Sequence, residues 1–258
     1  GRGGRRLSPM ARPADPHARS ALVASARQQF RAHGIQRARI EDITAACGLS
    51  KGAFYLHYDS KEALFAGLVT QFEGQLDALF TTRIGEEDAF FARGGPFRAK
   101  DLAPRSARMA ALTEMQARHD IAALELMWTW RDVIHVLING CQGTAFDGVI
   151  WQAIDREQQR VIEACARLKR ANVMRRDISN DVLATMFIGV WVLTMRKMVA
   201  QEQKPDFPAL IAELNLLVGE GITPRVRAPT RARATPSPLR LSLPHRRAPQ
   251  RLSSRKSP

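Results

Sequence analysis

Cysteine is scarce: only Cys47, Cys141 and Cys165 occur in 258 residues, far apart and without C-x-x-C spacing. That argues against a disulfide framework or a zinc knuckle and fits a reducing compartment. Long apolar runs are missing too. The longest uncharged stretch, Val182 to Met195, has 14 residues, short of the roughly 20 that a membrane-spanning helix needs. The N-terminus carries Arg but no apolar segment, so no signal peptide and no membrane partner are expected, and the cytoplasm is the expected location. No Gly-rich phosphate loop, H-E-x-x-H, G-x-S-x-G or carboxylate–His di-iron pattern appears. The chain is therefore expected to lack catalytic residues, metal ligands and cofactors, and not to be an enzyme. Period-two alternation of apolar residues is also missing, and with it the signature of strands.

Charge is abundant but unevenly placed. The formal net charge is +14. Residues 1–19 contribute +4 and residues 224–258 contribute +10, whereas 20–223 hold 24 basic and 24 acidic side chains. The basic character belongs to two tails rich in Arg, Pro, Gly and Ser, which are expected to be disordered (1–16 and 224–258). Met10 is a candidate start, and the Arg/Pro tail a candidate non-native extension. Polyanion binding is a fair expectation for a basic protein, but here the argument must come from the neutral middle.

That middle reads as helix almost throughout, an all-α chain with apolar residues at three- and four-residue spacing. A first helix is expected from His17 to His33, ended by Gly34, a second over Glu41 to Cys47, and a third over Lys51 to Tyr58 with Ser50 as its cap. A fourth starts at Asp59-Ser60-Lys61-Glu62 with a D-x-x-E capping box and runs through Phe80. Residues 83–104, with Gly94-Gly95-Pro96 and mixed charges, are expected to form a loop. Further helices follow at about 105–118, 121–138, 147–170, 179–203 and 206–220. The division is a small head (17–76) and a larger body (83–221).

The informative segment is 39–58. Two short amphipathic helices flank Cys47-Gly48-Leu49-Ser50, where Gly permits the left-handed backbone of a tight turn. Leu49, Phe54 and Tyr58 would pack on Ile43 and the first helix. Lys51, Gly52, Ala53, Tyr55, Leu56 and His57 would then face outward. Small residues allow close approach and polar ones can meet phosphate, as a helix laid in a major groove requires.

These residues resemble the tetracycline-repressor-like (TetR) family over about 60 positions, Pro16 to Leu76. Arg19, Leu22-Val23, Ala26, Phe30, Gly34, Ile43, Ala46 to Gly52, Phe54-Tyr55, His57-Tyr58 and Ser60 to Leu64 stand in the family's order. Carried over residue by residue, the resemblance implies phosphate contacts from Lys51, Tyr55, His57 and Lys61. It implies positions near base edges for Glu41, Gly52, Ala53 and Leu56. Arg39 stands where the family often has a capping Thr or Ser and offers a further phosphate contact. Ala53 lacks the hydroxyl often found at its position.

For the body the resemblance implies an all-helical effector domain whose last two long helices make a four-helix dimer bundle. The dimer positions would be Leu183, Phe187, Val190, Leu210, Leu214 and Leu217. The helix from Val182 is apolar on two sides, so it must be covered on both. Trp128, Arg131, His135, Trp151, Phe187 and Trp191 are the candidate lining of an effector pocket, with ordinary core as the alternative. The implied partners are double-stranded DNA with a palindromic operator, a second copy of the chain and a small-molecule effector. A helical-bundle enzyme and a DNA-binding scaffold without effector are the competing classes.

Overall fold

The computed structural model describes residues 16–103 and 106–222, with side chains as far as Leu217; both expected tails lie almost wholly outside the described residues. Among these residues there are nine α-helices and one 3-10 turn, with no strand. The head comprises α1 (Pro16–Arg37), α2 (Ile40–Ala46), α3 (Lys51–Tyr55) and the start of α4 (Lys61–Gly94). The body adds α5 (Ala107–Thr129), α6 (Arg131–Asn139), α7 (Val149–Arg170), α8 (Asn180–Val199) and α9 (Phe207–Ile222). The architecture is all-α, a helix-turn-helix head on a larger helical body.

The head folds around Leu22, Ala26, Phe30, Ile43, Phe54, Leu64 and Phe65, all essentially without solvent contact. Phe65 is the hub, edge-on to Phe30 at 5.4 Å and to Phe146 at 5.0 Å. Aromatic pairs of this geometry add about 0.5–1.5 kcal/mol to the burial itself. This core does not stop at the head. It continues into Val133, Ile134, Val136 and Leu137 of α6, then Cys141, Ile150, Met195 and Val199. Three smaller clusters fill the rest of the body, around Phe207, Phe97 and Cys165.

The expected loop at 83–104 is corrected in its first half, and only the stretch after Gly94 leaves the α-helix, with one 3-10 turn at Ala99–Leu102. The helix α4 runs unbroken to Gly94 and ends at Gly95, whose φ is 63°. The charges that suggest a loop are paired inside the fold. Arg83 bridges Glu87 at 3.3 Å and Asp120 at 2.7 Å, while Glu86 accepts from Arg118 and lies 3.1 Å from His119. The same pairs remove the expected break near residue 120. His119 and Asp120 sit mid-helix in α5, and the chain bends instead at Trp130. A boundary between head and body at 76–83 therefore falls inside one continuous helix.

By length and composition α8 is apolar enough to cross a membrane, with a mean hydropathy of 1.6. Its inner face, Leu183, Ala184, Met195, Met198 and Val199, is nevertheless buried against the rest of the fold.

Candidate nucleic-acid interface

The turn between α2 and α3 is built from local signals. Gly48 adopts φ 69°, and the Leu49 N–H returns to the Thr44 carbonyl at 2.9 Å. The Ser50 hydroxyl then accepts from the Ala53 N–H at 3.1 Å, capping α3. Such a cap contributes about 1 kcal/mol. Buried Ser25 donates to the Ile43 carbonyl at 2.7 Å and ties α1 to α2. Arg19 donates Nε to the Tyr58 hydroxyl at 3.2 Å, fixing the start of α1 against the end of the turn. Phe54, fully buried, pins α3 from beneath.

With its inner face locked, α3 presents the other residues outward. Lys51, Gly52, Tyr55 and Leu56 are exposed, Tyr55 by 50% and Leu56 by 65%, and Ala53 and His57 are partly exposed. At that exposure Leu56 contributes little to the packing of the head. Arg39 and Glu41, at the start of α2, lie exposed as well. Arg39 occupies the cap position of α2 without a side-chain hydrogen bond, which leaves its guanidinium available. Lys51 and Glu41 bind each other at 2.7 Å. The Lys51 ammonium holds the Glu41 carboxyl below the usual carboxylate range. Both are solvated, so the pair is one a phosphate can displace.

Lys61 departs from its expected place at a phosphate. Its ammonium donates to the Gln36 carbonyl at 2.9 Å and the Ala38 carbonyl at 2.8 Å, and its side chain is only 19% exposed. Two carbonyls at the end of α1 hold the cation inward, where it staples α4 to α1. The cap of α4 is also Ser60, which accepts from the Ala63 N–H at 3.0 Å, in place of the expected Asp59 box.

The six expected lining residues of an effector pocket do not converge. Arg131 stacks on Trp128 at 4.1 Å, and Trp128 and Trp191 pack in the cluster around Phe207. Phe187 belongs to another cluster with Cys165, Met174 and Leu183. His135 lies beside Asn139 on α6, near Arg31 of the head. Trp151 is mostly exposed at the start of α7.

The expected dimer positions also divide. Leu183 is 2% exposed and packs within its own protomer beneath Val161, Leu168 and Phe187, so it cannot meet a partner: its face of α8 is the inner one. Phe187, Val190, Leu210 and Leu214 are half-buried, and Leu217 is exposed. The open stripe of α8 is instead Val182, Met186 and Leu193, with Leu216 and Leu217 open on α9.

Sequence reasoning missed the joint between head and body. Arg27 on α1 makes a bidentate pair with Asp132 on α6, at 2.7 and 2.6 Å. The Ile35 N–H donates to the Gly140 carbonyl at 3.1 Å, and Gln36 reaches the carbonyls of Gln142 and Gly143. Gly34 and Gly140 meet backbone to backbone, which explains glycine at both positions. The Asn139-Gly140 dipeptide was the available signal, legible alone only as a turn.

Residues 22–68 match the family model described as bacterial regulatory proteins, tetR family. The head is that of the tetR family. YdgC, an uncharacterized HTH-type transcriptional regulator of Bacillus subtilis (strain 168), is 34% identical over 61 residues, 24% of this chain and 31% of YdgC. DhaR, an HTH-type transcriptional repressor of Mycobacterium sp. (strain GP1), is 35% identical over 71 residues, 28% of this chain and 35% of DhaR. The chain thus spans about a third of the length of these curated relatives. Among solved structures, the ketosteroid transcriptional regulator KstR2 of Mycobacterium tuberculosis aligns with a TM-score of 0.56 at 18% identity, covering 80% of this chain and 95% of that one. At that identity the likeness is one of fold alone, and it spans the head and the body together.

Proposed function

We propose that the chain is a sequence-specific DNA-binding transcription regulator that acts in the cytoplasm as a homodimeric repressor. The observation that carries this reading is the tetR-type head itself, with α3 locked by Ser50 and Phe54 while Tyr55 and Leu56 stand open to solvent. Arg39, Lys51, Tyr55 and His57 meet phosphates and set the register, and Glu41, Gly52, Ala53 and Leu56 face base edges. Two copies joined through the open faces of α8 and α9 read a near-palindromic operator, one half-site each.

Release by a small molecule would run through the joint. The head shares its core with α6 and is clamped to it by Arg27–Asp132 and Ile35–Gly140. A ligand that moves α6 therefore moves α1, and α3 with it. Coupling of about 1–3 kcal/mol changes operator affinity about 5–150-fold. The scattering of the six expected lining residues favours a second reading, a DNA-binding scaffold without effector.

Selection of bound duplexes from a random pool, followed by a screen for compounds that dissociate the complex, tests both. A recovered two-fold motif supports the regulator, and compounds that release it support the effector. Failure to enrich any sequence refutes sequence-specific binding.

A further inference from the structure

The joint between head and body gathers cations that DNA recognition does not use. The helices α1 and α6 lie side by side and run in the same direction, so that Arg27 stands at Asp132, Arg31 near His135 and Gly34 against Gly140. Where α6 begins, a cavity of about 150 Å³ is lined by Arg27, Gln28, Arg31, Thr129, Arg131 and Asp132. Three guanidiniums thus surround one carboxylate.

That carboxylate is already taken. Arg27 binds both oxygens of Asp132, donates to the Thr129 carbonyl and stacks on Trp130 at 4.9 Å. Arg131 has no carboxylate partner among the described residues. It donates Nη1 to the Trp128 carbonyl at 3.0 Å and lies over the Trp128 ring, while its buried Nε makes no hydrogen bond. Arg31 makes no hydrogen bond or ion pair among the described residues. His135 offers no compensation: burial first, and then the Arg31 cation, hold its imidazole below the ordinary range. Arg31 is exposed and leaves its guanidinium free for a ligand at the cavity's edge, while the buried Nε of Arg131 is a donor without an acceptor, which is rare in native structures.

We propose that this cavity is an oxyanion site, in which a phosphate, a sulfate or the phosphate group of a metabolite sits between Arg31 and Arg131 with Arg27 fixed beside it. Guanidinium is the side chain suited to two-point contact with tetrahedral oxyanions. The size agrees, since about 150 Å³ holds a tetrahedral anion with a water or two but falls below the ~300 Å³ of a drug-sized pocket. A bound anion there bridges α1 of the head to α6 of the body. The site does not involve α3, so it stands whether or not the chain binds DNA.

Trp128 and Trp130 lie under two of the three guanidiniums, so intrinsic fluorescence of the full chain reports occupancy without DNA present. Inorganic phosphate and glycerol phosphate are titrated separately at constant ionic strength, balanced with chloride. The expected result is a saturable change with phosphate, and a half-saturation at least tenfold higher in Arg31→Gln, an exposed position where folding is not at stake. Arg131→Gln should act likewise. Tighter binding of the monoester assigns the site to a metabolite's phosphate, and equal or weaker binding assigns it to the free anion. No saturable change with either probe, or an unaltered half-saturation in Arg31→Gln, overturns the proposal.

Discussion

Replacing Gly140 by Ala measures how closely the head is joined to the body. Gly140 has φ −124° and ψ 7°, which any L-residue adopts, so backbone strain does not oppose the change. In open space a compatible Gly→Ala substitution stabilises by about 0.4–1 kcal/mol, by restricting the unfolded chain. Here the new Cβ would lie 3.1 Å from the Cα of Gly34 and 3.3 Å from the side chain and carbonyl of Val136. Gly34 is backbone held at φ 71°, and it cannot swing away as a flexible side chain would. Its retreat would stretch the hydrogen bond from the buried Ile35 N–H to the Gly140 carbonyl. Overpacking costs about 1–3 kcal/mol and a weakened buried hydrogen bond about another 1. The balance is a net loss of about 1–3 kcal/mol, a fall in Tm of about 3–10 °C for a folded chain of this size. Thermal unfolding followed by circular dichroism decides it. An unchanged or raised Tm would mean that α1 and α6 do not approach as described.

Four further perturbations follow from the same geometry. Leu193→Asp or Leu217→Asp places a charge on the open face of α8 or α9 and should yield monomers of full helicity by sedimentation; intact dimers would place the interface elsewhere. Lys61→Met keeps the aliphatic stem but loses two carbonyl contacts, so it should cost about 1–3 kcal/mol of stability while leaving the salt slope of DNA binding nearly unchanged. A slope lower by about 1 with unaltered stability would return Lys61 to the phosphate backbone. Burial pushes the Cys141 thiol up to about 11 and raises that of Cys165 as well. Their neutral forms favour the fold below the ordinary thiol range, and that contribution is lost as pH rises toward 11. Iodoacetamide at pH 8 should therefore modify only half-exposed Cys47, and a second reactive thiol in folded protein contradicts this. Ala53→Gln puts an amide on the outward face of α3 and should change the preferred base at one position of each half-site, by about 1–3 kcal/mol.

The head was legible because its determinants are local. Gly48, Ser50, Ile43 and Phe54 lie within a dozen residues, and each has a conformational or packing reason that needs no distant partner. The body was not, because its determinants are distant in the chain. The mixed charges that begin at Arg83 and Glu86 read as loop until Asp120 is placed against Arg83, and Arg118 and His119 against Glu86. Lys61 is a cation on a first helical turn until the carbonyls of Gln36 and Ala38 are placed beside it. A helix apolar on two sides does not say which side is inward, hence Leu183 in its own core and Leu193 outside it. The Arg27–Asp132 clamp joins residues 105 apart, and only the packing of α1 on α6 brings them together.

The central claim is that α3 reads base sequence, and the most direct test is a ratio of affinities. The dissociation constant is measured for a selected duplex and for a shuffled duplex of the same composition, at near-physiological salt. The account predicts a preference of about 10³ or more, with two protomers bound per duplex. Equal affinities that fall together with salt would show that only charge is recognised, and would contradict it.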